Sequence, residues 1–123
     1  MKVLRIGIAP SYEALKERTL RIARGDLKPE PDDPKVWFAS TEAFAKVLSD
    51  RNQALLALIR EERPTSLEEL ARLSARAKPN LSRTLKTMEG YGLVKLHRGP
   101  RNSVIPEVPF DRITLDLPLG RAA

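Results

Sequence analysis

At 123 residues the chain is about one domain long, enough for a real hydrophobic core but not for two independent ones. Apolar residues at 41% and charged residues at 31% exclude a disordered chain, and no apolar run approaches the roughly 18 residues a membrane span needs. The absence of cysteine removes disulfides and thiolate metal sites and suits a cytoplasmic protein.

The net charge of +6 is unevenly placed. Residues 76–103 hold Arg76, Lys78, Arg83, Lys86, Lys95, Arg98 and Arg101 against Glu89 alone, an excess that equals that of the whole chain. Localised positive charge is the footprint of a polyanion binder, the plain alternative being a solvated basic face.

In chain order, "MKVLRIGIAP" has a basic residue and an apolar run but no small-residue cleavage site, so it reads as a strand and not as a signal peptide. Its alternation puts Leu4, Ile6 and Ile8 on one face. Tyr12, Leu15, Thr19 and Ile22–Ala23 then predict an amphipathic helix over about 11–24. "KPEPDDPK" reads as a linker and "VWFA" as a short strand, with Trp37 and Phe38 as core or dimer contacts. A short helix is expected over 41–48. A second is expected from 50 to the residue before Pro64, with Leu55, Leu56, Leu58 and Ile59 apolar; Phe44, Val47 and Leu48 are expected to join the core beneath the helices that follow.

"TSLEELARLS" offers Ser66 as a helix N-cap with Glu69 three residues on, the spacing of a capping box. After the break at "ARAK", Pro79 suits a first-turn position, and Leu81, Leu85 and Met88 recur at i, i+4 and i+7 as the buried row of another helix. Gly90 and Gly92 supply its C-terminal stop. Its other face carries Asn80, Ser82, Arg83, Lys86 and Thr87, side chains suited to base edges and phosphates. "GLVKLHRGPRNSVI" predicts a hairpin with strands at 93–97 and 103–105 and a basic tip of Arg98, Arg101 and Asn102. "RITLDLPL" alternates Ile113, Leu115 and Leu117 as a last strand, expected to pair with the first one, within one chain or across a dimer.

The expected fold class is therefore mainly α with a small β component. Its parts are a strand-helix-linker extension over 1–39 with a dimerising role, a helix-turn-helix with its hairpin over 40–110, and a strand and tail over 111–123. Enzyme chemistry finds little to work with. His97 is the sole histidine, no G-x-S-x-G elbow or glycine-rich phosphate loop is present, and adjacent acids such as Glu61–Glu62 point apart on a helix. No catalytic residue, metal or cofactor is expected.

"SLEELARLSARAKPNLSRTLKTMEGYGLVKLHRG" resembles the winged helix-turn-helix of MarR-like transcriptional regulators, most tellingly in "LSRTLKTMEGYGLV". The "VPFDRITLDL" ending with the strand-like start resembles a group of small predicted prokaryotic regulators, archaeal and bacterial. The resemblance covers about residues 1–117 and is strongest over 40–117; Ala77-Lys78-Pro79 departs from it by lacking the usual Ser, Thr or Asp helix cap. It implies a sequence-specific regulator of double-stranded DNA, a repressor of its own promoter, reading the major groove with helix 78–91 and the backbone or minor groove with wing 93–105. Asn80, Arg83 and Thr87 are expected at base edges, Ser82 and Lys86 at flanking phosphates, Arg98, Arg101 and Asn102 on the wing, and Lys78 among the DNA-binding residues. A homodimer is expected, with half-sites about one helical turn apart and no membrane partner. Two alternatives stand beside it: an antitoxin that binds a small toxin and represses its own operon, and a winged helix that meets protein or RNA without DNA.

Overall fold

In the computed structural model of the chain, residues 2–9, 11–28, 30, 33–117 and 119 are described. The fold is mainly helical with a small β component, and it divides into two compact units: residues 1–46 with 112–123, and residues 47–111. Pro29, Pro31 and Asp32 of the expected linker, and the expected tail at 118 and 120–123, lie outside the described residues.

The first unit is built on β1 (Val3–Ile8), α1 (Tyr12–Ala23) and β2 (Val36–Phe38), a parallel β-α-β crossover. β5 (Arg112–Asp116) adds on the other side of β1, also parallel, with Val3 opposite Arg112 and Gly7 opposite Asp116. The two strands expected to find each other thus pair within one chain, giving the order β2-β1-β5. Alternation then sorts the side chains of β1. Leu4, Ile6 and Ile8 are buried on one face, where Phe38 sits in register with Ile8. On that face Phe44 of α2 (Thr41–Val47) meets Phe38 edge-on at 5.6 Å between ring centroids. Phe44, expected in the core beneath the later helices, thus has its ring against the sheet residue Phe38.

The other face of β1 carries Gly7, where an added Cβ would lie 2.6 Å from the Trp37 ring, so only glycine lets the indole come this close to the strand. The Arg18 guanidinium of α1 covers that ring at 5.0 Å from its centroid and pairs with Asp33 at 3.1 Å. The Glu30 backbone N–H and the Arg18 guanidinium hold the Asp33 carboxyl below its ordinary value. Ser11 caps α1 by accepting from the Ala14 N–H at 3.0 Å. The helix is where predicted, but none of its residues is fully buried, and Tyr12, Leu20 and Ile22 are exposed.

The second unit runs α3 (Asp50–Glu62), α4 (Leu67–Ser74), α5 (Lys78–Tyr91) and a hairpin of β3 (Lys95–Arg98) and β4 (Val104–Glu107). Leu55, Leu56 and Ile59 of α3, Leu70 of α4 and Leu81, Leu85 and Met88 of α5 form its core. Each buried Leu contributes about 1.5–3 kcal/mol over leaving it exposed. Ser49 and Ser66 cap α3 and α4 through their hydroxyls. The reciprocal half of the capping box shifts by one residue, because the Glu69 carboxylate accepts from the Thr65 N–H at 3.2 Å.

α5 passes through Gly90 and stops at Gly92, whose φ of 84° lets the Leu93 N–H return to the Met88 carbonyl at 2.9 Å. Leu93 and Val94, predicted as strand, are instead buried plugs, and the first hairpin strand starts at Lys95. β4 likewise begins at Val104 and runs to Glu107. Beyond it the Arg60 guanidinium donates to the Phe110 carbonyl at 2.8 Å, fastening this segment to α3.

Candidate nucleic-acid interface

Burying Leu81, Leu85 and Met88 fixes the rotation of α5, and that decides which side chains it offers to solvent. Asn80, Arg83, Lys86 and Thr87 are exposed, while Ser82 is half-buried. Asn80, Arg83 and Thr87 lie at i, i+3 and i+7, a single row along the helix. They are also linked: Arg83 donates to the Asn80 side-chain oxygen, and the Thr87 hydroxyl donates to the Arg83 carbonyl at 3.1 Å. Lys86 flanks the row. Ala77 gives α5 no side-chain cap.

Lys78 is exposed at the first turn, where its ammonium pairs with Glu68 of α4 and holds that carboxyl below its ordinary value. Of the predicted helix contacts, it alone has its charge already engaged by a carboxylate.

At the hairpin tip Arg101 and Asn102 both adopt left-handed backbone, with φ of 58° and 63°, and both are exposed. Asparagine tolerates that conformation; arginine adopts it at a cost of about 1 kcal/mol or more. The Arg98 guanidinium donates to the Asn102 side-chain oxygen at 2.9 Å across the base of the turn. The tip is therefore a closed, shaped loop carrying two guanidiniums. Further along, His97 on β3 lies 2.9 Å from the Glu107 carboxylate on β4, so the lone imidazole is spent on a cross-strand pair.

Two residues absent from the sequence-based site stand beside the row on α5. Ser49, Arg51, Arg76, Asn80 and Arg83 line an open cleft of about 500 Å³ whose lining contains no carboxylate. Arg76 sits in the turn between α4 and α5, after Ala75 has taken left-handed backbone with φ of 57°. Its guanidinium donates to the Asn52 side-chain oxygen at 3.0 Å and to the Arg51 carbonyl at 2.8 Å, and Asn52 in turn donates to the Val47 carbonyl at 3.0 Å. Burial, then repulsion from the Arg51 guanidinium, pushes Arg76 below its ordinary pKa.

Three guanidiniums with no acid among them make a cavity that favours an anion. The sequence signal was weak. Arg51 and Arg76 are far apart in the chain, and only the fold brings the start of α3 to the α4–α5 turn. Among the described residues no group of three or more His, Cys, Asp or Glu could hold a metal ion, and no helix is long and apolar enough to cross a membrane.

The sequence profile of the HVO_A0114 family matches residues 47–115, more than half of the chain, and the chain belongs to that family. The matched segment takes in the whole of α3, α4, α5 and the hairpin. No curated protein and no solved structure matches the chain.

Proposed function

We propose that the second unit is a MarR-like winged helix-turn-helix that binds double-stranded DNA and serves, as a cytoplasmic homodimer without enzymatic activity, as a regulator repressing its own promoter. The observation that carries this reading is the exposed row of Asn80, Arg83 and Thr87 on a helix whose opposite face is fully buried, flanked by Lys86 and by the arginine-lined cleft. Asn and Arg supply bidentate donors for adenine and guanine edges in the major groove. Lys86, Ser82, Arg51 and Arg76 supply the phosphate contacts that set register. The hairpin tip, with Arg98 and Arg101, lies along the neighbouring backbone or minor groove.

A fluorescence-anisotropy titration tests this, using the chain's own upstream DNA, a scrambled duplex and a duplex RNA of the same length across several salt concentrations. The expected result is tight binding to the upstream DNA alone, with a steep salt slope. Equal weak binding to all three overturns it and leaves a generic polyanion surface. Preference for the RNA favours the reading without DNA.

A second reading, an antitoxin that also represses its operon, is favoured by the exposed Tyr12 and Ile22 of α1, apolar side chains suited to a small protein partner. Co-expression with the product of the neighbouring reading frame tests it. A stable complex lost on substituting Tyr12 and Ile22 supports it, and independent migration of the two proteins overturns it.

A further inference from the structure

The two edges of the three-stranded sheet are unlike. β2 is three residues long and follows Pro34 and Lys35, a short edge of the kind that resists added strands. β5 is five residues long, and no described strand lies beyond it. Its sequence, Arg112-Ile113-Thr114-Leu115-Asp116, has a symmetry that the fold makes usable. Turned about a two-fold axis through Thr114 and laid antiparallel to itself, the strand sets Arg112 opposite Asp116 of the copy, Ile113 opposite Leu115, and Thr114 opposite Thr114.

Each charged end then meets the opposite charge, twice, on one face, with the threonine pair between them. On the other face four aliphatic side chains cluster. A protective edge carries one sign of charge or a proline; this one carries opposite signs placed symmetrically. Within the chain, Arg112 and Asp116 stand in register with Val3 and Gly7, and Arg5, in register with Thr114, is the charged residue of β1 on that face. Arg112 and Asp116 are both exposed. The apolar residues along this edge are also left open: Leu115 at 41% and Leu117 at 47% exposure.

We infer that β5 is the dimerisation edge of the protein, pairing antiparallel with β5 of a second copy to make one continuous six-stranded sheet. Main-chain hydrogen bonds hold the strands together, and the Arg112–Asp116 pairs fix register and exclude the parallel arrangement, which would oppose like charges. Association of this kind is isologous and closes at two copies.

Sedimentation equilibrium of the full chain, without DNA, tests the inference independently of the DNA-reading proposal. Wild-type protein is expected to be a dimer at micromolar concentration. Arg112→Asp alone and Asp116→Arg alone each turn two attractive pairs into two repulsive ones and should raise the dimer Kd by about tenfold or more. An equimolar mixture of the two variants should associate again, as a heterodimer with all pairs restored, and the double swap R112D/D116R should dimerise like wild type. The heterodimer also shows that each variant is folded. A wild-type monomer at about 100 micromolar, a dimer indifferent to either single reversal, or folded single variants that fail to associate on mixing would each overturn the inference. A dimer that fails to bind DNA leaves this inference standing and defeats the other.

Discussion

α1 and α5 are helices of similar length, 12 and 14 residues, with apolar residues at helical spacing, yet α5 buries Leu81, Leu85 and Met88 while α1 buries nothing fully. The difference lies in what each helix faces. α5 meets a unit whose other elements also turn apolar side chains inward: Leu55 and Ile59 of α3, Leu70 of α4, and Leu93 after the turn at Gly92. α1 lies on the face of β1 that carries Gly7 and Trp37, because alternation sends Leu4, Ile6 and Ile8 to the opposite face. What α1 lays on that indole is the Arg18 guanidinium. Periodicity states what a helix can bury; the strand opposite decides whether it does.

The largest effect that would sharpen this contrast is Leu81→Ala, expected to destabilise the helical unit by about 2–5 kcal/mol through lost packing and the cavity left behind. Chemical denaturation followed by far-ultraviolet circular dichroism reads it. A cost under about 1 kcal/mol would mean that the α5 row is not the centre of the core.

Next come the exposed side chains of the same helix, whose replacement should leave folding alone and change DNA binding. Arg83→Ala should weaken binding by about 1–3 kcal/mol and relax sequence preference, whereas Lys86→Ala should weaken all duplexes alike and lower the salt slope by about one unit. Anisotropy across salt concentrations separates the two, and the reverse pattern would mean that Lys86, not Arg83, faces the bases.

Arg76→Ala removes two charge-assisted hydrogen bonds that pin the α4–α5 turn to the start of α3 and should cost about 1.5–3 kcal/mol of stability. Hydrogen exchange of the Leu81 amide, which donates to the Ala77 carbonyl at 3.1 Å, should accelerate with it; unchanged protection would show the turn to be held by packing alone. In α1, by contrast, Ile22→Ser should stay within about 0.5 kcal/mol of wild type. A larger loss would break the comparison by revealing that something covers the helix in solution.

The smallest effect is one of pH. Asp33 has its folded-state pKa lowered by the Glu30 N–H and by Arg18, so its contribution is fully present above the unfolded carboxylate value and disappears as pH falls through the lower folded value. Asp33→Asn should therefore differ from wild type near neutral pH and converge with it in acid. Trp37, the single tryptophan, reports it by fluorescence from beneath Arg18. Persistent divergence at low pH would assign the difference to shape instead of charge.

The features legible in the sequence were those written over a few residues. The Ser66 cap, the Leu81–Leu85–Met88 row and the stop at Gly92 depend on neighbours within one or two turns, and each falls where its spacing placed it, only the return bond from Glu69 moving to Thr65. The pairing of the first and last strands was inferable because two alternating segments shared a need for a partner. What could not be read depends on which surfaces meet. Phe44 looks like any apolar residue on a short helix, and nothing local says that Phe38 is its neighbour. Arg76 belonged to the basic stretch but had no assigned place in the site, and Arg51 was not singled out, until α3 and the α4–α5 turn brought them to one cleft. Leu93 and Val94 have strand-forming side chains, but the reversal at Gly92 turns them into the core before any strand begins.

The parallel pairing of Val3 with Arg112 also sets an order of assembly during synthesis. All of α3, α4, α5 and the hairpin is translated between the two strands, and it is rich in local contacts that close quickly. The sheet must wait for the far end of the chain. Until residues 112–116 leave the ribosome, β1 keeps a bare apolar edge, so the nascent protein should acquire its helical unit first and its sheet last. Nascent chains tethered so that residues 47–111, but not 112–116, have emerged from the ribosome would then carry a helical unit that resists protease while residues 1–46 remain cleavable.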